Sequence, residues 1–221
     1  MKDILKFLEA LEANNNREWF DINRERYKGV RLKVLDLADK LIKEISKFYD
    51  LSHDLKPNEC IFRINRDIRF KKDRTPYKTN MWIEISRYGR RHLVKSWMPC
   101  FYLHIQPWNQ SFIAWWLYSP SLATASIIRE AIDQKWSDFK KIINKIQKSK
   151  SFDLYNESLK TSPRWFTKDN ANIELLKLKH WIFERPVSDK EMKWGEFEKD
   201  LVRDLKKLAP FVEWLQDRID E

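Results

Sequence analysis

Residues 60–78 read CIFRINRDIRFKKDRTPYK, and the rest of the chain is organised around this stretch. Read at a period of two, one face of the stretch carries Phe62, Ile64, Ile68 and Phe70. The other face carries Arg63, Asn65, Asp67 and Arg69. The alternation predicts a half-buried β-strand with charges on its open side, followed by a basic segment that ends at Thr75-Pro76-Tyr77.

Arg66 is the exception to this pattern, because its position places a guanidinium on the apolar face. Two explanations are open. Either a bulge turns the side chain away, or the guanidinium is buried against a carboxylate, for which Asp67 and Asp73 are the nearest candidates.

The remaining sequence predicts an α+β fold, a single domain over residues 1–221 with an antiparallel sheet of about four to five strands flanked by N- and C-terminal helices. A helix is predicted over residues 3–12, and a longer one from Arg17 to about Tyr49 that Gly29 divides. Near the other end, Ser188 and Glu191 form a capping box for a helix to about Leu208, and Pro210 begins the last helix. The predicted core includes Trp19, Phe20, Leu41, Phe62, Ile64, Ile83, Leu103, Ile113 and Phe183.

Composition excludes several classes of protein. Only three glycines occur, and neither a GxGxxG nor a Walker pattern is present, so a dinucleotide-binding or P-loop site is excluded. The two cysteines and four histidines show no metal-ligand spacing, so we expect no metal site and no cofactor. No apolar run approaches the roughly 20 residues of a membrane span, and the N-terminus is not a signal peptide. We therefore expect a cytoplasmic protein without a membrane partner.

The central stretch also indicates a binding site. Seven cations and two acids lie within residues 60–78, and the whole chain has a formal net charge of +10. Arginine presents a planar fork of donors that suits phosphate and carboxylate oxygens. We expect Arg63, Arg66 and Arg69 to line a concave site, Asp67 to orient one of them, and Tyr77 and Lys78 to complete the rim. The candidate ligand-binding residues are Arg63, Arg66, Asp67, Arg69, Asp73, Arg74, Tyr77 and Lys78.

A known family resembles this chain at the same stretch, in the pattern formed by Arg63, Arg66, Asp67, Arg69, Phe70, Asp73, Pro76, Tyr77 and Lys78. The pattern is similar to the hallmark of domain of unknown function 2461, a family of bacterial and fungal proteins. The resemblance extends to residues 14–20, 163–166 and 175–179, and it implies no established activity. Arg74 stands where the family usually has lysine, which weakens any mechanism that needs a titratable amine there.

Three functions follow from these residues. The first is a binding module for an anionic small molecule or, as a second branch, for nucleic acid. The second is an enzyme acting on a phosphate-containing substrate, in which Asp67 or Asp73 supplies acid–base chemistry or a metal ligand and the arginines stabilise negative charge. The third is a structural or interaction protein in which the charged cluster is purely architectural.

Overall fold

The α+β fold and the antiparallel sheet predicted from the sequence are confirmed by the computed structural model, which describes residues 1–69, 72–89, 98–148 and 152–221. Five strands in these ranges form one sheet in the order β1-β2-β3-β5-β4, with every neighbouring pair antiparallel. The strands are β1 (Met81–Ser86), β2 (Cys100–Ile105), β3 (Ser111–Leu117), β4 (Asp153–Leu154) and β5 (Trp181–Val187).

Helices precede, interrupt and follow the strands. The N-terminal group is α1 (Lys2–Ala13), α2 (Arg17–Ile22), α3 (Arg24–Ile45) and α4 (Pro57–Cys60). Between β3 and β5 lie α5 (Leu122–Gln134), α6 (Trp136–Lys148) and α7 (Ile173–Leu176), and the chain ends with α8 (Asp189–Met192) and α9 (Phe197–Asp220). Among the described residues, no helix combines the length and the apolar character that crossing a membrane requires.

The main core lies between one face of the sheet and the long helices. Trp115 of β3 is fully buried, and its indole Nε1 donates a 3.1 Å hydrogen bond to the carbonyl of Leu205 in α9. Phe183 of β5 meets Phe211 of α9 edge-on, with the ring centroids 5.0 Å apart. Most of the predicted core is buried here: Phe20, Leu41, Ile64, Ile83, Leu103, Ile113 and Phe183. Trp19 and Phe62 are only half-buried.

The long N-terminal helix divides at Asn23 and not at Gly29, which lies inside α3. The side-chain amide of Asn23 donates to the backbone carbonyl of Trp19. The backbone carbonyl of Asn23 accepts from the backbone N–H of Tyr27. An asparagine that bonds the backbone locally competes with helical hydrogen bonding and breaks the helix. The N-cap of α2 is Asn16, whose side chain accepts from the backbone N–H of Trp19.

The C-terminal helices also differ from the prediction. The helix capped by Ser188 ends at Met192, and Pro210 lies inside α9 instead of beginning a helix. Apolar side chains repeat at helical spacing through the proline, at Leu201, Leu205, Leu208, Phe211, Val212 and Leu215, and all are buried. Burial of this continuous stripe outweighs the local cost of about 3 kcal/mol that a proline imposes on a helix interior.

The regular strand predicted for residues 62–70 is wrong. Its described part forms isolated antiparallel bridges, Ile61 with Ile83 and Asn65 with Tyr77, and the predicted inward position of Phe70 lies outside the described residues. Two aspartates explain the irregular backbone. Asp67 accepts the backbone N–H of Arg69, and Asp73 accepts that of Thr75, so both side chains bond the chain two residues ahead and turn it.

The side chain of Asn15 ties this segment, which we call the basic loop (residues 63–78), to the N-terminal helices. The amide of Asn15 donates to the carbonyl of Tyr77 over 3.0 Å and accepts from the backbone N–H of Tyr77 over 3.1 Å. The Tyr77 ring stacks on Phe20, with centroids 4.0 Å apart and an interplanar angle of 16°. Asn15 therefore fixes the loop where it returns towards the sheet.

Replacing Asn15 by alanine should destabilise the protein by about 1–3 kcal/mol, because two partly buried backbone groups lose their partner. Asn14→Ala is the matched control, since Asn14 is exposed and bonds only within its own helix end, and it should cost less than about 0.5 kcal/mol. Urea unfolding of the two variants measures the difference. Equal unfolding midpoints for both variants would show that the Asn15 contact does not hold the loop.

Candidate functional site

Residues of the basic loop line two pockets. The first, which we call the Arg63 pocket, has a volume of about 530 Å³, and its lining includes Arg31, Arg63 and Lys78. The second, the Arg66 pocket, has a volume of about 710 Å³, and its lining includes Arg66, Asp73 and Trp82. Asp67 and Lys78 line both pockets, so the two spaces meet at these side chains.

Arg66 occupies the wall of the second pocket and is held by its neighbours in the loop. One guanidinium nitrogen, Nη1, bonds both the carboxylate of Asp73 and the hydroxyl of Thr75. The backbone N–H of Arg66 donates to the carbonyl of Pro76 over 2.9 Å. Of the two explanations left open by the sequence, pairing with a carboxylate is found, at Asp73, but the pair is not buried, since the Arg66 side chain is 27% exposed and that of Asp73 is 56% exposed.

Asp73 is held in its ionised form by these contacts. The backbone N–H of Thr75, the guanidinium of Arg66 and the hydroxyl of Thr75 together lower the pKa of Asp73 from 3.8 to about 2. A carboxylate that accepts several hydrogen bonds resists protonation. At neutral pH Asp73 is therefore a fixed negative charge that orients Arg66.

Asp67 is engaged by Arg69 in a two-pronged ion pair. Arg69 Nε donates to Oδ1 over 3.0 Å, and Arg69 Nη2 donates to Oδ2 over 2.6 Å. These side-chain hydrogen bonds, then the backbone N–H of Arg69, hold the pKa of Asp67 well below its usual range. The side chain of Arg69 is 75% exposed and lines neither pocket, so its described contact with the site runs through Asp67.

Arg63 differs from Arg66 and Arg69 in its surroundings. Its guanidinium forms no hydrogen bond or ion pair with any described residue, although its charge contributes to the lowered pKa of Asp67. Arg31 also lines the Arg63 pocket, is half-buried and donates to the amide oxygen of Asn58 over 3.1 Å. Arg31 is a pocket residue that the sequence analysis missed. Its spacing from Tyr27 places both on one face of α3, but only the fold brings that face to the loop.

Lys78 lies at the junction of the pockets. Its ammonium donates to the carbonyl of Arg63 over 2.7 Å and lies 4.6 Å from the centroid of the Trp82 ring. Tyr77, placed at the rim by the sequence analysis, is only 6% exposed, and its ring packs on Phe20. Arg74 is exposed, donates to the carbonyl of Ile68 over 3.3 Å and lines neither pocket.

The structure therefore separates the predicted cluster. It brings Arg63, Asp67 and Lys78 to one pocket, and Arg66, Asp67, Asp73, Tyr77 and Lys78 to the other. The expected convergence of Arg63, Arg66 and Arg69 on one point is not found, since the segment is not a regular strand. Within the described ranges, no three histidine, cysteine, aspartate or glutamate side chains are grouped so that they could hold a metal ion.

Removing the charge of Arg66 should raise the pKa of Asp73. In Arg66→Gln we expect a value above 2 but still below 3.8, because the backbone N–H of Thr75, the largest cause of the shift, remains. Carboxyl-carbon NMR titration measures this value. In the wild type, the lowered pKa contributes stability above pH 3.8 that is lost as the pH falls towards 2. An unchanged Asp73 titration in the variant would contradict the ion pair.

Comparison with known proteins yields one family. A model of the family described as "Conserved hypothetical protein (DUF2461)" matches residues 3–214, which include all the elements described above except the first residue of α1 and the last six residues of α9. No curated protein and no solved structure matches the chain. Since the match extends over nearly the whole length, the chain belongs to the DUF2461 family.

Proposed function

We propose that this protein binds an anionic small molecule, phosphorylated or carboxylated, in the Arg63 pocket. The observation that carries the proposal is the convergence of Arg31, Arg63 and Lys78 on one space of about 530 Å³. That volume lies within the range of roughly 300–1,000 Å³ of pockets that bind small molecules.

The charge balance of the pocket favours an anion. Asp67 lines the pocket as well, but both of its oxygens already accept hydrogen bonds from Arg69. The pocket therefore keeps a surplus of positive charge. Cations confined together without a counter-charge repel one another, and an anion relieves that repulsion.

The chemistry of the three cations also fits an anion with several oxygens. The Arg63 guanidinium offers a planar fork of donors that makes paired hydrogen bonds with phosphate or carboxylate. Lys78 adds a compact charge whose ammonium lies close to the Arg63 backbone. Arg31 approaches from α3, so an anion between them would be contacted from a helix and from the loop.

The catalytic alternative has less in its favour. Asp67 and Asp73 are each held by an arginine and by a backbone N–H, and both pKa values are lowered. A carboxylate with a pKa near 2 is a weak base and is not protonated at neutral pH, so it is a poor general acid. These contacts suit residues that position arginines better than residues that transfer protons.

Arg63→Gln should weaken the binding of inorganic phosphate or citrate by about 10- to 100-fold, because hydrogen bonds to charged groups contribute about 1.5–3 kcal/mol. Isothermal titration calorimetry at low salt measures the affinity. Arg74→Gln makes the same charge change outside both pockets and should leave the affinity within about 2-fold of the wild type.

Two outcomes would reject the proposal. One is a wild-type protein that binds neither anion. The other is equal loss of affinity in the Arg63 and Arg74 variants, which would assign any binding to overall positive charge. If Arg63→Gln unfolds the protein, Arg31→Gln supplies the same test from the other wall of the pocket.

A further inference from the structure

We propose that the ligand is a nucleotide, with its phosphate in the Arg63 pocket, its ribose in the Arg66 pocket and its base at the edge of that pocket, stacked on the ring of Trp108, which bonds the lining residue Glu12. This inference rests on the proposed function, since it assigns the remainder of the same ligand.

The junction lets one ligand reach both pockets. Lys78 lines each of them, with its ammonium 2.7 Å from the Arg63 carbonyl and 4.6 Å from the centre of the Trp82 ring. A phosphate held by Arg63 and Lys78 therefore lies at the entrance to the Arg66 pocket. The group attached to that phosphate extends into a further space of about 710 Å³, which is large enough for a ribose and a base.

The Arg66 pocket does not suit a second anion. Its lining includes the carboxylates of Glu12, Asp67 and Asp73 against the cations Arg66 and Lys78. Each of these carboxylates already accepts from Trp108, Arg69 or Arg66, but an ionised carboxylate offers about four acceptor positions and no donor, so the wall favours a neutral group that carries N–H and O–H donors. The hydroxyls of a ribose and the amino group of a base are donors of this kind.

Trp108 supplies a flat apolar surface beside these acceptors. It is 59% exposed, yet its indole Nε1 donates over 2.7 Å to Oε2 of Glu12, a lining residue of the Arg66 pocket. Its backbone N–H donates to Asp189 over 3.1 Å, and its φ of 65° belongs to the tight turn between β2 and β3. The ring is thus fixed from both ends while its surface remains in solvent.

A fixed exposed indole is suited to stacking. Its orientation is set before a ligand arrives, so less conformational freedom is lost on binding. Stacking of a base on an aromatic side chain is sequence-tolerant, and its loss lowers affinity by about 5- to 100-fold. Two other strongly exposed tryptophans, Trp165 and Trp194, have no described contact with a lining residue of either pocket and serve as references.

The test compares adenosine monophosphate with ribose 5-phosphate and inorganic phosphate by isothermal titration calorimetry. We expect the nucleotide to bind about 5- to 100-fold more tightly than ribose 5-phosphate. Trp108→Leu should remove that difference and leave the affinity for ribose 5-phosphate unchanged. Trp194→Leu is the matched control and should behave as the wild type.

The outcomes separate this inference from the proposed function. The nucleotide proposal is wrong, and the proposed anion site stands, in two cases. In the first, ribose 5-phosphate binds through Arg63 and adenosine monophosphate binds no more tightly. In the second, Trp108→Leu weakens the binding of adenosine monophosphate and of ribose 5-phosphate equally. If no phosphate compound binds, both are wrong. A short single-stranded oligonucleotide distinguishes two sources of the same chemistry. An affinity that rises with the length of the oligonucleotide and falls steeply with salt indicates that the ligand is nucleic acid. An affinity for the oligonucleotide equal to that for adenosine monophosphate indicates a free nucleotide.

Discussion

The paired hydrogen bonds between the Asn15 amide and the backbone of Tyr77 determine where the basic loop lies. They attach the C-terminal end of the loop to the turn between α1 and α2. The ring of Tyr77 also stacks on that of Phe20 in α2. Lys78 follows directly and donates its backbone N–H to the carbonyl of Ile64. Because this contact sets where the loop re-enters the fold, the relative position of both pockets depends on it.

Within the loop, the two acids shape the chain as well as balancing charge. Asp67 and Asp73 each accept the backbone N–H two residues ahead and also hold an arginine. Each aspartate thus bends the backbone and neutralises one cation. Arg63 receives neither kind of contact from the described residues, and this asymmetry distinguishes it from its neighbours. Local hydrogen bonding therefore decides which cation of the loop has no described partner.

Sequence patterns predicted the regular elements well where one face is continuously apolar. Ile83, Leu103, Ile113 and Phe183, all predicted for the core, are buried, although burial in β1 and β2 extends to both faces of the strand. The period of two also described burial in the central stretch, since Ile64 is buried between exposed Arg63 and Asn65. It failed to describe the hydrogen bonding there, because alternation records which side chains face inwards and not which backbone groups are paired. The fifth strand of the sheet is β4, a pairing of two residues that no periodicity could reveal.

The candidate site was predictable in composition but not in arrangement. The pairing of Arg66 with Asp73 was one of two explanations that parity had left open. Arg31 could not be predicted as a pocket residue because it belongs to α3, about thirty residues before the basic loop. Nothing in its local sequence distinguishes it from an ordinary surface cation. Contacts between distant segments depend on how helix and loop pack, which a pattern along the chain does not encode.

Pro210 has a consequence for the mechanics of α9. A proline at this position leaves the carbonyl of Lys206 without its helical donor, and both residues are exposed, so water can take the place of the missing N–H. The missing backbone hydrogen bond therefore lies on the solvent-exposed face of the helix, while the buried apolar face continues past the proline. Before it, α9 is fastened to the sheet through Leu205 and Trp115. After it, Phe211 packs on Phe183 of the sheet, and Trp214 packs on Phe139 of α6. One helix can thus pack on both the sheet and α6, while its interrupted hydrogen bonding faces solvent.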